Sequence, residues 1–282
     1  MADDTSAFLD FSAASLLITA HGSPSTTGGR TSSRKHAQTI KNLRVFEDVQ
    51  AGFLTEKPFV DGVLDSMTSP EVYVLPNLVC AGYISTHKLP QALGLTGDVT
   101  ERIGPNGHQR IILCKPVGTD PGVVKVFASR ILTTMRALQI EQDDCAIIVI
   151  GHGSQKSRAS FNSTTQLSQD IAKHGIMAPI QTAFLEEPTL IADWRQLTDA
   201  KTVVFAPYLI SDGYHGSDEI PRDIGFDPKS TEFQERLEQV LPNEVEVDGR
   251  RLVYLPPLGD APEMAELMLN RVRTAQSTLA AR

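Results

Sequence analysis

Leu16-Leu-Ile-Thr-Ala-His-Gly-Ser23 and Ile147-Ile-Val-Ile-Gly-His-Gly-Ser154 are one motif written twice, 131 positions apart. Each is a short apolar run closing on His-Gly-Ser, the pattern of a buried strand that ends in a tight turn. The register continues outward without a break to Pro90 and Pro221, through Gln38 and Gln169, Ile40 and Ile171, Phe53-Leu54 and Phe184-Leu185, Glu56 and Glu187, and Gly82-Tyr83 and Gly213-Tyr214. Beyond Pro90 the shift becomes 141, pairing Arg110, Gly118 and Arg130 with Arg251, Gly259 and Arg271. Self-similarity at this period means one folding unit used twice. The ten extra residues fall between Ile224 and Arg250, where Phe233, Leu237, Val240 and Leu241 recur at helical spacing after Ser230 and predict an added helix. Asn243 to Gly249 reads as a turn into the next strand.

Within each unit the apolar and polar stretches alternate. Strands are expected at 16–20, around Phe53, at 71–76 and at 110–114, with helices at 31–44, 57–67 and 121–138. The second unit repeats them at 146–150, around Phe184, at 202–207 and 251–255, and at 160–174, 188–198 and 262–280. Alternating strands and helices imply a parallel sheet covered on both faces. The expected fold is therefore two duplicated three-layer α/β domains of flavodoxin-like type related by a pseudo-twofold axis, residues 1–140 and 141–282. Ligands of such sheets sit beyond the carboxyl ends of the strands, where both His-Gly-Ser triplets fall.

Composition narrows the class. The 282 residues are 41% hydrophobic and 21% charged, an ordinary globular balance, with a net charge of −8 and no concentrated basic run, which excludes nucleic acid as an expected partner. The acidic start and the shortness of the first apolar run predict a cytoplasmic protein without a membrane association. Three scattered cysteines, Cys80, Cys114 and Cys145, suggest buried thiols rather than a disulfide framework or a metal knuckle.

The differences between the two copies carry the chemistry. The second has His152 after its first strand, Glu186 after its second and His215 after its third; the first keeps His21 but has Thr55 and Ile84 at the other two positions. Two imidazoles and a carboxylate from separate strand ends suit a borderline divalent metal held in an open site. His36, His87, His108 and His174 stand in polar surroundings and are expected at the surface.

The runs Val149-Ile-Gly-His-Gly-Ser154, Ala183-Phe-Leu-Glu-Glu-Pro188, Pro207-Tyr-Leu-Ile-Ser-Asp-Gly-Tyr-His-Gly-Ser-Asp-Glu-Ile-Pro221 and Pro256-Pro-Leu-Gly-Asp-Ala-Pro262 resemble the class II tetrapyrrole chelatases, most closely the sirohydrochlorin cobaltochelatase and ferrochelatase family. The resemblance implies an ATP-independent lyase that inserts Co²⁺ or Fe²⁺ into sirohydrochlorin or a related tetrapyrrole, in cobalamin or siroheme biosynthesis. Ni²⁺ is also compatible with such ligands, the metal being substrate, and no organic cofactor is implied. His152, Glu186 and His215 correspond to the metal and catalytic residues. Substrate carboxylates would meet Lys156, Arg158 and the amides of Gly153 and Ser154, and His21 would belong to the wall that the first half presents to the ring. A non-catalytic tetrapyrrole-binding or metal-delivery protein is the alternative. A duplicated chain can close its own cleft, so a monomer and a homo-oligomer are both compatible with it.

Overall fold

The computed structural model describes residues 10–22, 31–155, 157–210 and 213–281. In the first half β1 (Phe11–Ala20), α1 (Thr31–Asn42), β2 (Phe46–Phe53), α2 (Val60–Ser66) and β3 (Glu71–Pro76) are followed by a π-helical turn, Ile84–Lys88, that runs into α3 (Leu89–Ala92). The half closes with β4 (Val99–Gly104), β5 (Gly107–Leu113) and α4 (Gly122–Ala137). The second half repeats the order as β6 (Cys145–Gly151), α5 (Ala159–Ile171), β7 (Ile180–Phe184), a 3₁₀ segment at Ile191–Gln196, β8 (Thr202–Pro207), a π-helical turn at His215–Glu219 and α6 (Ile220–Ile224). It ends with α7 (Thr231–Glu238), β9 (Asn243–Val247), β10 (Arg250–Tyr254) and α8 (Met264–Ala280).

The sheets have matching orders, β2-β1-β3-β5-β4 and β7-β6-β8-β10-β9. All pairings are parallel except β4 with β5 and β9 with β10. Those two antiparallel edges correct the sequence reading, which had no strand at 99–104 and only a turn at 243–249. Charged residues interrupt both, Glu101-Arg102 in β4 and Glu244 and Glu246 in β9, so no continuous apolar run announces them. Every residue of β6 is buried, the signature of a central strand covered on both faces. The inserted α7 forms where it is expected, with Ser230 Oγ accepting from the Phe233 amide at 3.2 Å as its N-cap. The helix predicted at 188–198 is instead the shorter 3₁₀ segment.

Three apolar clusters organise the molecule. One is the outer core of the first half, around Leu17, Val63, Val74 and Leu89, and a second is its counterpart around Ile148, Trp194, Phe205 and Tyr254. The third draws on both halves, bringing Ile18, Phe127 and Ile131 together with Ile147, Met268 and Val272. The halves therefore meet over a common core.

Polar contacts across that core follow the duplication. Arg130 donates to the carbonyls of Pro256 and Pro257 at 3.0 and 3.3 Å, while its repeat partner Arg271 reaches back to Asp120 at 3.4 Å. The Tyr208 hydroxyl donates to the Gly118 carbonyl at 2.8 Å. Gly118 and Gly259 lie so close to the opposing loops that an added Cβ would stand 2.1 Å from the Val79 oxygen and 1.7 Å from the Ile210 oxygen. No larger residue fits there.

His36 departs from its expected surface position: it is buried and its Nε2 donates to the Gly259 carbonyl at 2.6 Å. Burial, aided by neighbouring Lys35, pushes its pKa down against the opposing pull of that carbonyl. Below an unfolded value of about 6.5 the unfolded chain binds a proton that the native imidazole refuses, so stability falls as pH drops from there toward the lower folded value. His36→Gln retains an N–H donor without the titration. Its unfolding free energy is expected to lose less than the wild type's on acidification through this window, as measured by urea titration; parallel losses would contradict the assignment.

Candidate metal and tetrapyrrole cleft

β1 and β6 both deliver a histidine at their carboxyl ends, and the following glycine fixes its ring. Gly22 and Gly153 have φ of +82° and +76°, a region that favours glycine. The turn presents each glycine carbonyl to the preceding imidazole, 3.0 Å from Nδ1 in both His21 and His152. A carbonyl can only accept, which puts the hydrogen on Nδ1 and leaves the lone pair on Nε2.

His215 opens the second half's π-helical turn. Its Nδ1 donates to Glu219 Oε2, one turn further along, so that its lone pair too lies on Nε2. The two Nε2 atoms are 3.3 Å apart and the ring planes are nearly perpendicular, at 87°. Two lone pairs facing at this distance require a cation between them, either a proton or a metal. Two imidazole nitrogens bound at ~2.0–2.1 Å to one tetrahedral divalent ion would themselves lie about 3.3–3.4 Å apart.

Glu186 follows β7 and is held by its amide on the His152 carbonyl at 3.0 Å. Its carboxylate lies 4.0 Å from His152 Nδ1, on the side of the ring away from Nε2, and is 51% exposed. Among the described residues no group of three His, Cys, Asp or Glu side chains already converges as a ligand set. The arrangement is thus a preformed histidine pair with a mobile-length carboxylate beside it.

The pair opens on a cleft of about 1150 Å³ lined by both halves, with His21, Asn77 and Ile84 from the first and His152, Glu186 and His215 from the second. That exceeds the ~300–1,000 Å³ of common small-molecule sites and leaves room for a large ligand. Leu185, Leu190, Leu209 and Ile210 add apolar surface.

Three of the groups expected to meet substrate carboxylates have partners within the protein. The Ser154 amide donates to Glu187 Oε1 at 2.7 Å and the Gly153 amide to Ser160 Oγ at 3.1 Å, so both are satisfied within the protein. Arg158 is paired with Glu187 Oε2 at 3.0 Å and stacked over Phe161 at 3.6 Å. The buried Glu187 carboxylate needs these donors, since an unpaired buried charge is costly. Ser154 still lines the cleft, whereas Lys156 lies outside the described residues. Burial pushes the thiol of Cys114 up to about 12 and that of Cys145 to about 11, as fits inert core cysteines.

Glu219 is the residue that the sequence reading passed over. Its signal was the i,i+4 spacing from His215 on a helical turn, together with Lys88 at the equivalent position of the first half.

The model of the CbiX family matches residues 15–134 and again residues 146–275. A probable sirohydrochlorin cobaltochelatase of Halobacterium salinarum is 27% identical over 273 residues, spanning 92% of this chain and 91% of its own length. The sirohydrochlorin cobaltochelatase of Methanopyrus kandleri is 24% identical over 139 residues, which are 46% of this chain but 96% of that protein. In fold, the chain resembles the sirohydrochlorin chelatase SirB of Bacillus subtilis subspecies spizizenii, solved in complex with cobalt, with a TM-score of 0.66 at 17% identity over 95% of this chain and 97% of the other.

Proposed function

The chain belongs to the CbiX family, and from that premise we propose that it is a metal chelatase that inserts Co²⁺ or Fe²⁺ into sirohydrochlorin or a closely related tetrapyrrole. The observation that carries the reading is the pair of Nε2 lone pairs, 3.3 Å apart, at the wall of a cleft large enough for a macrocycle.

Insertion requires a partly dehydrated metal, loss of two pyrrole protons and transfer of the ion to the ring nitrogens. His152 and His215 hold the ion by Nε2, with Gly153 and Glu219 fixing their tautomers. Glu186, close by and free to rotate, adds negative charge beside the cation and a path for protons leaving the site. Ser154 and the first-half wall, including His21, position the ring. Arg158 shapes this edge through Glu187.

The charge balance of the halves is unequal: residues 1–140 hold 13 Lys and Arg against 12 Asp and Glu, and residues 141–282 hold 13 against 22. The cation's side is acidic, while the other wall repels a polycarboxylate ring less. Unpaired cysteines fit a reducing compartment, and we place the reaction in the cytoplasm. Among the described residues no helix is long and apolar enough to cross a membrane.

Purified protein mixed with metal-free sirohydrochlorin and Co²⁺ is expected to convert the absorption spectrum to that of the metallated ring over many turnovers. A spectral change that stops at one equivalent of bound, unmetallated ring would identify a carrier instead.

A further inference from the structure

We propose that His21, on the first-half wall, is the base that accepts the first pyrrole proton, a role that rests on the insertion reading above. The need for another base comes from the histidine pair itself. While the metal waits on His152 and His215, both Nε2 lone pairs are engaged. Neither imidazole can take a proton until the ion has left, so a pyrrole N–H that breaks while the ion is still held there needs a base elsewhere.

His21 has the required form. Its ring is set by the same backbone frame as His152: Nδ1 lies 3.0 Å from the Gly22 carbonyl, and the Thr55 amide holds the His21 carbonyl at 3.0 Å as the Glu186 amide holds that of His152. Its Nε2 therefore carries a lone pair and has no hydrogen-bond partner among the described residues. It lines the cleft and is exposed, so a proton taken there can pass to water.

The substitutions around it keep it from being a second metal site. Ile84 stands where a second imidazole would be, Thr55 where the carboxylate would be and Lys88 where Glu219 would be. One imidazole without a second ligand binds a divalent ion weakly, which leaves its lone pair available for protons. His21 lines the same cleft as the histidine pair, so a ring bound there lies within reach of both.

In the proposed step a pyrrole N–H bond breaks, its electron pair stays on nitrogen, and the proton bonds to His21 Nε2 to give an imidazolium. The freed nitrogen pair then bonds to the metal. As the ion leaves the histidine pair, the second pyrrole proton goes to a vacated Nε2 there. Both protons then pass to solvent, so one M²⁺ enters and two H⁺ depart.

The test is single-turnover Co²⁺ insertion by wild type, His21→Ala and His21→Gln. Co²⁺ affinity is measured alongside by calorimetry, and metal-free sirohydrochlorin affinity by spectral titration. Both variants are expected to bind Co²⁺ within about threefold of wild type and, with sirohydrochlorin saturating, to insert at least tenfold more slowly. A pyridine base too hindered to coordinate cobalt should restore the alanine variant. Rates within threefold of wild type, or a slow rate that the added base does not restore, would overturn the assignment and leave His21 as wall. A wild type that binds both substrates and inserts nothing overturns the insertion reading instead.

Discussion

His215→Ala is expected to lower Co²⁺-dependent insertion by about 10³-fold or more, close to 4 kcal/mol of barrier, while leaving folding intact. The ring is 43% exposed and stands at the start of a surface turn, so its removal opens no cavity in the core. What is lost is half of a two-nitrogen grip on the ion. His152→Ala should cost as much, and the double variant little more than either single one, because residues that act as a unit show grossly non-additive effects. His87→Ala is the control: His87 occupies the equivalent turn of the first half, stacked on Tyr83 rather than facing a second imidazole. Insertion kinetics with thermal unfolding would decide the matter, and a His215→Ala enzyme within tenfold of wild type would remove the histidine pair from the mechanism.

The duplication made most of this architecture readable from sequence, because a 131-residue shift aligns strand ends with strand ends and shows which copy has two histidines and a glutamate at them. β6 and β8 are continuous apolar runs, and such runs announce themselves. Long-range partners do not. Gly153, Ser154 and Arg158 look like anion binders when only the strand-to-helix turn is considered, yet the carboxylate that satisfies Ser154 and Arg158 is Glu187, 33 and 29 residues away in sequence. His36 stands beside Arg34 and Lys35 and reads as surface. Its spacing to Ile40, on the side of α1 that also buries Ser32, Ser33 and Ala37, was the available contrary sign. Glu219 escaped notice because its role depends on a π-helical turn that sequence periodicity does not distinguish from an ordinary helix start.

Glu219→Ala is expected to weaken Co²⁺ binding by about 10–100-fold, the usual consequence of removing the hydrogen-bond partner of a metal-binding imidazole. The carboxylate does two things to His215. By accepting the Nδ1 hydrogen it excludes the tautomer that would aim an N–H at the ion, and its charge makes Nε2 a stronger donor. Glu219→Gln separates them, since the amide oxygen can still accept from Nδ1 without supplying charge, and should fall between alanine and wild type. Both variants should show a raised KM for Co²⁺ with kcat at saturating metal within about threefold of wild type, because the group acts on the ligand rather than on the ring. The acidic residue is out of place in any structural role shared by the halves, for the first half carries Lys88 at this position and folds the same π-helical turn around it. If calorimetry finds Co²⁺ affinity unchanged in Glu219→Ala, then His215 holds its tautomer without help, and the carboxylate serves the turn rather than the metal.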